Sequence, residues 1–439
     1  MLHTNINKIW SELQQNEQLE QFRKMPSEQS QQFFWELSSR DQAHLLLSMP
    51  VDQRFFWMRA LEPDDAADAI QEAPIESRQA LLSCLDPSTH NEVTGLLAYR
   101  EDVAGGLMSP RFATLRANMT VAQALAYLRR QAREHVETVY YVYIVNAQEC
   151  LIGVSSLREL FAAPPEAPIK SVMKHDFVRA REEMDQEELS RLFAEHDLLA
   201  IPVVDSQGKM KGIVTIDDIV DVVQEEATED IQKIGGSEAL HAPYLEISLL
   251  DMIKKRAGWL VLLFLSEMLT TNAMAQYQSE IAKAVVLAVF IPLIISSGGN
   301  SGSQASTLVV RAMALGQVDL KDWWKVFRRE LMVGLALGLI IGAIGLIRIL
   351  AWQQIFPQAY GPHYILIAAT VALSLICIVL WGGISGSMLP FILRKLGLDP
   401  ASASAPFVAT LVDVTGLVIY FSMAGFILHF GNNLFRIPG

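Results

Sequence analysis

Apolar residues recur at spacings of three and four through FFWELSSRDQAHLLLSM, RFFWMRALEP and ADAIQEAPIESRQALLSCL, so residues 1 to 104 read as a run of short helices. Each is punctuated by proline or a cap residue, at Pro50-Val51-Asp52, Pro63-Asp64-Asp65, Pro74 with Glu76, and Asp86-Pro87-Ser88. This rhythm predicts a small all-α solenoid. From Leu107 strands alternate with helices, and the pattern repeats. MSPRFATLRANMTVAQALAYLRR parallels MKHDFVRAREEMDQEELSRLFAE, and VYIVNAQECLIGVSSLREL parallels IPVVDSQGKMKGIVTIDDI. The second repeat runs into one helix of about five turns, IDDIVDVVQEEATEDIQKIGG.

From Tyr244 onward five apolar stretches approach the length a bilayer requires, at about 257–277, 284–314, 330–351, 364–393 and 402–431. Five spans put the two ends of the chain on opposite sides. Lys254, Lys255 and Arg256, then Lys321, Lys325, Arg328 and Arg329, then Arg394 and Lys395 mark the cytosolic connections. The opposite side holds only Lys283, Arg348 and Arg436, which predicts an external C-terminus. SSGGNSGSQ at 296–304 and WGGISGSMLP at 381–390 read as polar interruptions, which at membrane depth must face protein or water. Asp413 lies inside SASAPFVATLVDVTGLVIYFSM, where an ionisable group costs a few kcal/mol and calls for a cation or a proton. Ala405, Ala409 and Gly416 leave room around it, and Thr410 and Thr415 supply hydroxyls. Glu267 is a second intramembrane carboxylate, ranked below Asp413.

Composition sharpens the division. Of 35 basic and 48 acidic residues, 13 and 8 lie after residue 250, which leaves 22 and 40 before it and a net charge near −18 there. Such a surface argues against nucleic acid and anionic lipid as partners and suits solubility or the collection of cations. Cys84, Cys150 and Cys377 sit at no metal-ligand or disulfide spacing. The start MLHTNINKIW has no basic segment followed by an apolar one, so the first half is expected to stay in the cytosol.

Two readings of the acids stand side by side. Asp64 and Asp68, four apart at a helix start, cap that helix or present two carboxylates on one face. The acids Asp218, Asp221, Glu225, Glu226, Glu229 and Asp230 repel along one helix with little basic residue nearby beyond Lys233. That helix is a solvated linker, or a sensor whose repulsion a divalent cation turns to attraction. The duplicated region resembles a pair of CBS domains, whose Gly-x-x-Ser/Thr-x-x-Asp element often holds a nucleotide ribose. It is present at Gly212, Thr215 and Asp218, and with Glu for Asp at Gly153, Ser156 and Glu159. The same spacing also makes a helix capping box.

The order of parts then resembles the MgtE family of magnesium channels. The likeness covers essentially the whole chain and rests on PLIISSGGNSGSQASTLVVRAMALG, APFVATLVDVTGLVIYF and GIVTIDDIVDVVQEEATEDIQKIGG. It implies a multidomain fold: an all-α N domain (1–104), an α/β CBS pair (105–216), an acidic connecting or plug helix with its linker (217–250), and a five-helix membrane domain (251–439). It implies a homodimer in a bacterial cytoplasmic membrane, with the N-terminus cytosolic, carrying Mg²⁺ inward past Asp413. Asn300, Ala409 and Glu267 are the pore-lining candidates; Ser303 stands where many members have asparagine. It further implies that cytosolic Mg²⁺ closes the pore by bridging Asp64, Asp68, Asp185, Glu187, Asp197, Asp218, Asp221, Glu226, Glu229 and Asp230. A nucleotide, ATP, would fall on Arg158 and Glu159.

Rival readings are a proton-coupled divalent-cation exchanger using Asp413 as a relay, a membrane-anchored Mg²⁺ sensor, and a membrane enzyme regulated by CBS domains. The enzyme reading lacks a nucleophile, a P-loop or a histidine and cysteine constellation, and His363 and His429 lie near span ends.

Overall fold

The computed structural model describes residues 10, 15–131, 138–240, 244–245, 247–277 and 285–434, with the last described side chain at 427. Lys283 and Arg436, two of the orientation markers, and the His429 side chain lie outside the described residues. The chain divides into two compact units, 1–224 and 225–439.

In the first unit seven helices follow one another: α1 Gln15–Lys24, α2 Ser27–Trp35, α3 Ser39–Ser48, α4 Val51–Met58, α5 Pro63–Glu72, α6 Ile75–Leu82 and α7 Pro87–Leu96. The starts of α4 to α7 fall where the punctuation predicts, while the stretch FFWELSSRDQAHLLLSM breaks at Ser38 between α2 and α3. Ser38 accepts a hydrogen bond from Asp41 N and Asp86 accepts from Ser88 N and Thr89 N, while Pro63 and Pro87 open their helices. Phe22, Phe33, Phe34 and Trp57 stack in the core, with the Trp57 ring 5.0 Å from Phe22 and 4.9 Å from Phe34.

Two like modules follow. After α8 Ala104–Leu107 come β1 Thr114–Arg116, α9 Val121–Gln131, β2 Tyr141–Val145, β3 Leu151–Ser156 and α10 Leu157–Ala162. Then α11 Ile169–Val172 leads to β4 Ala180–Arg181, α12 Gln186–His196, β5 Ala200–Val204, β6 Met210–Thr215 and α13 Ile216–Ile234. Each sheet has three strands, first parallel and then antiparallel, and the register shifts at equivalent points, Ile144/Val145 and Val203/Val204. The internal repeat is thus a repeat of fold. Leu96, Ala104 and Met108 share one buried cluster with Leu189, Phe193, Ile201 and Val214, so the helical domain's core runs on into the second module.

Among the described residues, the second unit holds five helices long and apolar enough to cross a membrane. They are α14 Leu249–Gln276, the broken pair α15 Val285–Ala288 and α16 Ile291–Ala314, α17 Trp323–Ile355, α18 Tyr364–Lys395 and α19 Ala405–Leu434. The sequence expectation of interrupted backbone is corrected here. Both glycine-serine runs are helical, and α18 continues through Pro390. Their glycines shorten the distance between helices instead of breaking them. A Cβ on Gly382 would collide with Gly298 O and one on Gly386 with Gly302 O, while one on Gly302 would lie 3.0 Å from Gly382 O. Along α17, Gly334, Gly338, Gly342 and Gly345 likewise meet Leu380, Ile376, Ala372 and Leu375 of α18.

Candidate functional site

Asp413 sits in the third turn of α19, half-buried. Among the described residues its carboxylate has no hydrogen-bond or ion-pair partner, and the one charge acting on it is that of Glu267 on α14. Two carboxylates that share a neighbourhood without a basic group favour a cation between or beside them. Room exists for it. A Cβ on Gly299 of α16 would lie 3.4 Å from Ala409 Cβ and 3.8 Å from Asp413 Oδ1, so the glycine keeps the approach to the carboxylate open. Asn300 follows Gly299, is exposed, and has its amide nitrogen 3.4 Å from Ser296 Oγ. Ser303 donates to Ala405 O and Ser306 to Ala403 O, at 3.0 and 2.7 Å, pinning the start of α19 to α16. Trp381 Nε1 donates to Thr415 Oγ1 at 2.8 Å and ties α18 to the same helix. Of the pore-lining candidates, Ala409 lies with Asp413 beside Gly299, and Glu267 acts on Asp413 through its charge.

The cytosolic acids have varied local work. Asp185 caps α12 by accepting from Glu187 N, Glu187 pairs with Arg191 at 3.5 Å, and Asp197 ends that helix in the left-handed region with φ of 51°. Asp218 Oδ2 accepts from Thr215 Oγ1 at 2.8 Å, the cap its spacing allows. Glu229 is paired with Lys233. Asp64, Asp68, Asp221, Glu226 and Asp230 stand on α5 and α13 with their neighbours. Among the described residues no three His, Cys, Asp or Glu side chains converge closely enough to cage a metal ion.

Sequence reasoning chose Asp64 and Asp68 on α5 and passed over the acid between them. Burial, then the charges of Glu62 and Asp217, push the Asp65 carboxyl up to about 6, although over a third of the residue is exposed. The charge of Asp217, at the acidic start of α13, is thus felt at Asp65 on α5. Glu62 is held in turn by Arg111, whose guanidinium lies 2.9 Å from it and 3.1 Å from Glu92. The signal was the doublet Asp64-Asp65, which periodicity alone cannot orient. Glu330, on α17, was also missed: it ends the basic run KVFRRE at the very start of the span read at 330–351.

Glu159 completes a capping box with Ser156 and meets Lys174 at 2.6 Å. Burial opposes its ionisation, but the Lys174 and Ser156 hydrogen bonds outweigh that and hold its carboxyl below the usual range. Arg158 beside it is exposed. The capping box accounts for the contacts of Glu159 with Ser156, and Lys174 adds an ion pair.

Comparison with known proteins matches residues 291–423 to the MgtE divalent cation transporter family, 3–102 to the MgtE intracellular N domain and 169–225 to the CBS domain. The magnesium transporter MgtE of Thermus thermophilus is 42% identical over 348 residues, which are 79% of this chain and 75% of that protein. The magnesium transporter MgtE of Enterococcus faecalis is 32% identical over 339 residues, 77% of this chain and 72% of that one. A crystal structure described as the cytosolic domain of the Mg²⁺ channel MgtE in complex with ATP is 38% identical, with a TM-score of 0.47, covering 50% of this chain and 89% of its own.

Proposed function

The chain belongs to the MgtE family of divalent cation transporters, and on that premise we propose that it is a self-limiting Mg²⁺ channel in which Asp413 faces the permeating ion. It is a multi-pass magnesium transporter with a cytosolic N domain, and not an enzyme. The observation that carries the pore assignment is the unpartnered Asp413 carboxylate, with Gly299 and Ala409 keeping side chains away from it. Mg²⁺ dehydrates reluctantly and keeps several waters. An open carboxylate with small neighbours suits a hydrated ion, whereas a tight ring of ligands would demand its dehydration. The absence of a closed three-carboxylate cluster among the described residues agrees with such water-mediated contact. Two chains, each contributing one Asp413, would double the charge at the ion, and a homodimer with its pore between subunits follows from that reading.

Gating is proposed from charge. The four parts, 1–104, 105–216, 217–250 and 251–439, are joined through α13, whose acids include Asp217, Asp218, Asp221, Glu226, Glu229 and Asp230. The charges of Glu62 and Asp217 both act on Asp65. Hard-oxygen donors fit regulatory Mg²⁺, with Asp64, Asp65, Asp68 and Asp217 as its proposed holders. Cytosolic Mg²⁺ would turn this repulsion into attraction and close the pore; its loss would open it. Influx then limits itself, in the cytoplasmic membrane of a bacterium, with the C-terminus outside.

The test is Mg²⁺ uptake into liposomes by the full chain and by Asp413→Ala, at several Mg²⁺ concentrations on the cytosolic face and with and without a pH gradient. Uptake that needs Asp413, needs no pH gradient and falls as cytosolic Mg²⁺ rises is expected. A strict need for the pH gradient would instead establish proton-coupled exchange.

A further inference from the structure

The membrane domain contains a second carboxylate that the pore assignment does not use. Glu330 lies seven residues into α17, one turn below the aromatic group Trp323, Trp324 and Phe327 that marks a membrane interface. It is four residues before Gly334, so it opens the face that Gly334, Gly338 and Gly342 present to α18. Leu331, Met332 and Val333 point outward and are exposed, while Glu330 is half-buried. The carboxylate is therefore turned into the helix packing.

Across Gly383 it faces a hydroxyl oxygen. A Cβ on Gly383 of α18 would lie 3.7 Å from Glu330 Oε2 and 3.5 Å from Ser301 Oγ of α16, which places the two oxygens within about 7 Å of each other across the glycine. Ser301 has committed its hydrogen to Val379 O at 3.0 Å, so it offers only lone pairs to the gap. Glu330 forms no hydrogen bond or ion pair among the described residues; Arg329, its exposed chain neighbour, acts on it only through space. A carboxylate without a donor among the described residues and a hydroxyl oxygen whose hydrogen is already committed thus face each other at a three-helix junction. An arrangement of this kind at membrane depth requires a cation or a proton.

We propose that Glu330 and Ser301, across the space left by Gly383, hold a second divalent cation with part of its water shell, at a site separate from that of Asp413. Separation follows from helix geometry. Gly299 and Ser301 are two residues apart on α16, about 200° around its axis, so Asp413 and Glu330 face opposite sides of that helix. Gly383 is then required as an absent side chain: a methyl there would occupy the gap at ordinary contact distances without striking backbone. The choice of a divalent cation rests on the transport function above, whereas the unsatisfied acceptors do not.

The experiment counts Mn²⁺ bound to the purified full chain in nanodiscs by electron paramagnetic resonance, in an Asp413→Asn background so that the pore carboxylate cannot contribute. Glu330→Gln is expected to remove one bound ion per chain, Gly383→Ala to weaken the same ion tenfold or more, and Glu330→Asp to retain it. Melting temperatures of the variants, recorded alongside, show that each is folded. Unchanged Mn²⁺ binding in folded Glu330→Gln overturns the proposal. So does a carboxylic-acid infrared band lost only in Glu330→Gln, which would mean a protonated Glu330 donating to Ser301. Neither outcome depends on uptake, so failure here is distinguishable from failure of the pore assignment.

Discussion

Lys233 Nζ lies 2.6 Å from Asp399 Oδ2 and also meets Glu229, so the last turn of α13 is tied to the loop that opens α19, the helix of Asp413. Burial opposes the charge on Lys233, but the two carboxylates outweigh it and raise its pKa. Three residues on, Gly236 has φ of +77°, and a Cβ there would lie 2.9 Å from the Trp259 indole and 3.1 Å from Pro406. Trp259 Nε1 in turn donates to Ser404 Oγ at 3.1 Å. Any displacement of the α13 terminus therefore pulls on the first turn of α19.

Breaking this tie should uncouple Mg²⁺ sensing from the pore. Lys233→Met is expected to weaken inhibition of uptake by cytosolic Mg²⁺ roughly fivefold, the low end of ordinary allosteric couplings. Its effect on stability should be under about 1 kcal/mol, because both partners are part-exposed. Exchanging the charges, Lys233→Asp with Asp399→Lys, should restore part of the inhibition. Liposome uptake curves of the two single variants and the double variant measure the coupling directly; additive effects would mean that the pair is not the transmitting contact.

Asp65 gives a pH-dependent prediction. A carboxyl whose folded value is raised to about 6 stabilises the fold fully below its ordinary 3.8, and this contribution is lost as pH rises through 6. Above that, Asp65, Glu62 and Asp217 repel. Asp65→Asn should therefore raise the melting temperature of the full chain at pH 7.5, by the equivalent of about 1 kcal/mol or less given the exposure of the residue, and the advantage should fade by pH 5. Added Mg²⁺ should stabilise the wild type more than the variant at pH 7.5. Differential scanning fluorimetry at the two pH values, with and without Mg²⁺, tests both statements.

The glycine crossing of α16 and α18 predicts a steep steric effect. Gly382→Ala and Gly386→Ala drive a methyl into backbone oxygens that cannot rotate away, so each should cost about 3 kcal/mol or more, at the upper end of overpacking. Gly425→Ala on α19 meets open space and should be tolerated. Melting temperatures in detergent should fall for the first two and stay unchanged for the third.

What was legible in the sequence follows from the range of the forces involved. Helix starts such as Pro63 and Asp86 are set by neighbours within three residues, and they fall where the chain pattern places them. The five spans and the duplicated modules are likewise local periodicities. Gly298, Gly302, Gly382 and Gly386 misled because a glycine run signals weak helix propensity, while its use here depends on a second helix 84 residues away. Lys233 stood out as a lone base among acids, but its partner Asp399 is 166 residues on. Asp65 was passed over for Asp64 and Asp68 because only the fold shows which carboxylate feels the charge of Asp217. Glu330 follows two arginines and was masked by them.

The last prediction separates charge from space at Asp413. Asp413→Asn keeps the volume and removes the charge, so if the carboxylate holds the ion through water, Mg²⁺ uptake should fall at least tenfold with no change in melting temperature. Gly299→Ala keeps the charge and adds one methyl, 3.4 Å from Ala409 Cβ and 3.8 Å from Asp413 Oδ1. That is a tight but tolerable contact, so the fold should survive while the room for an ion with its water shell shrinks. Uptake should drop severalfold, and Mg²⁺, which holds its waters most firmly, should suffer more than Ca²⁺, which accepts irregular coordination. Uptake of both ions by the two variants, measured in one liposome preparation, decides the matter. Equal losses for Mg²⁺ and Ca²⁺ in Gly299→Ala would place the selective step away from this carboxylate.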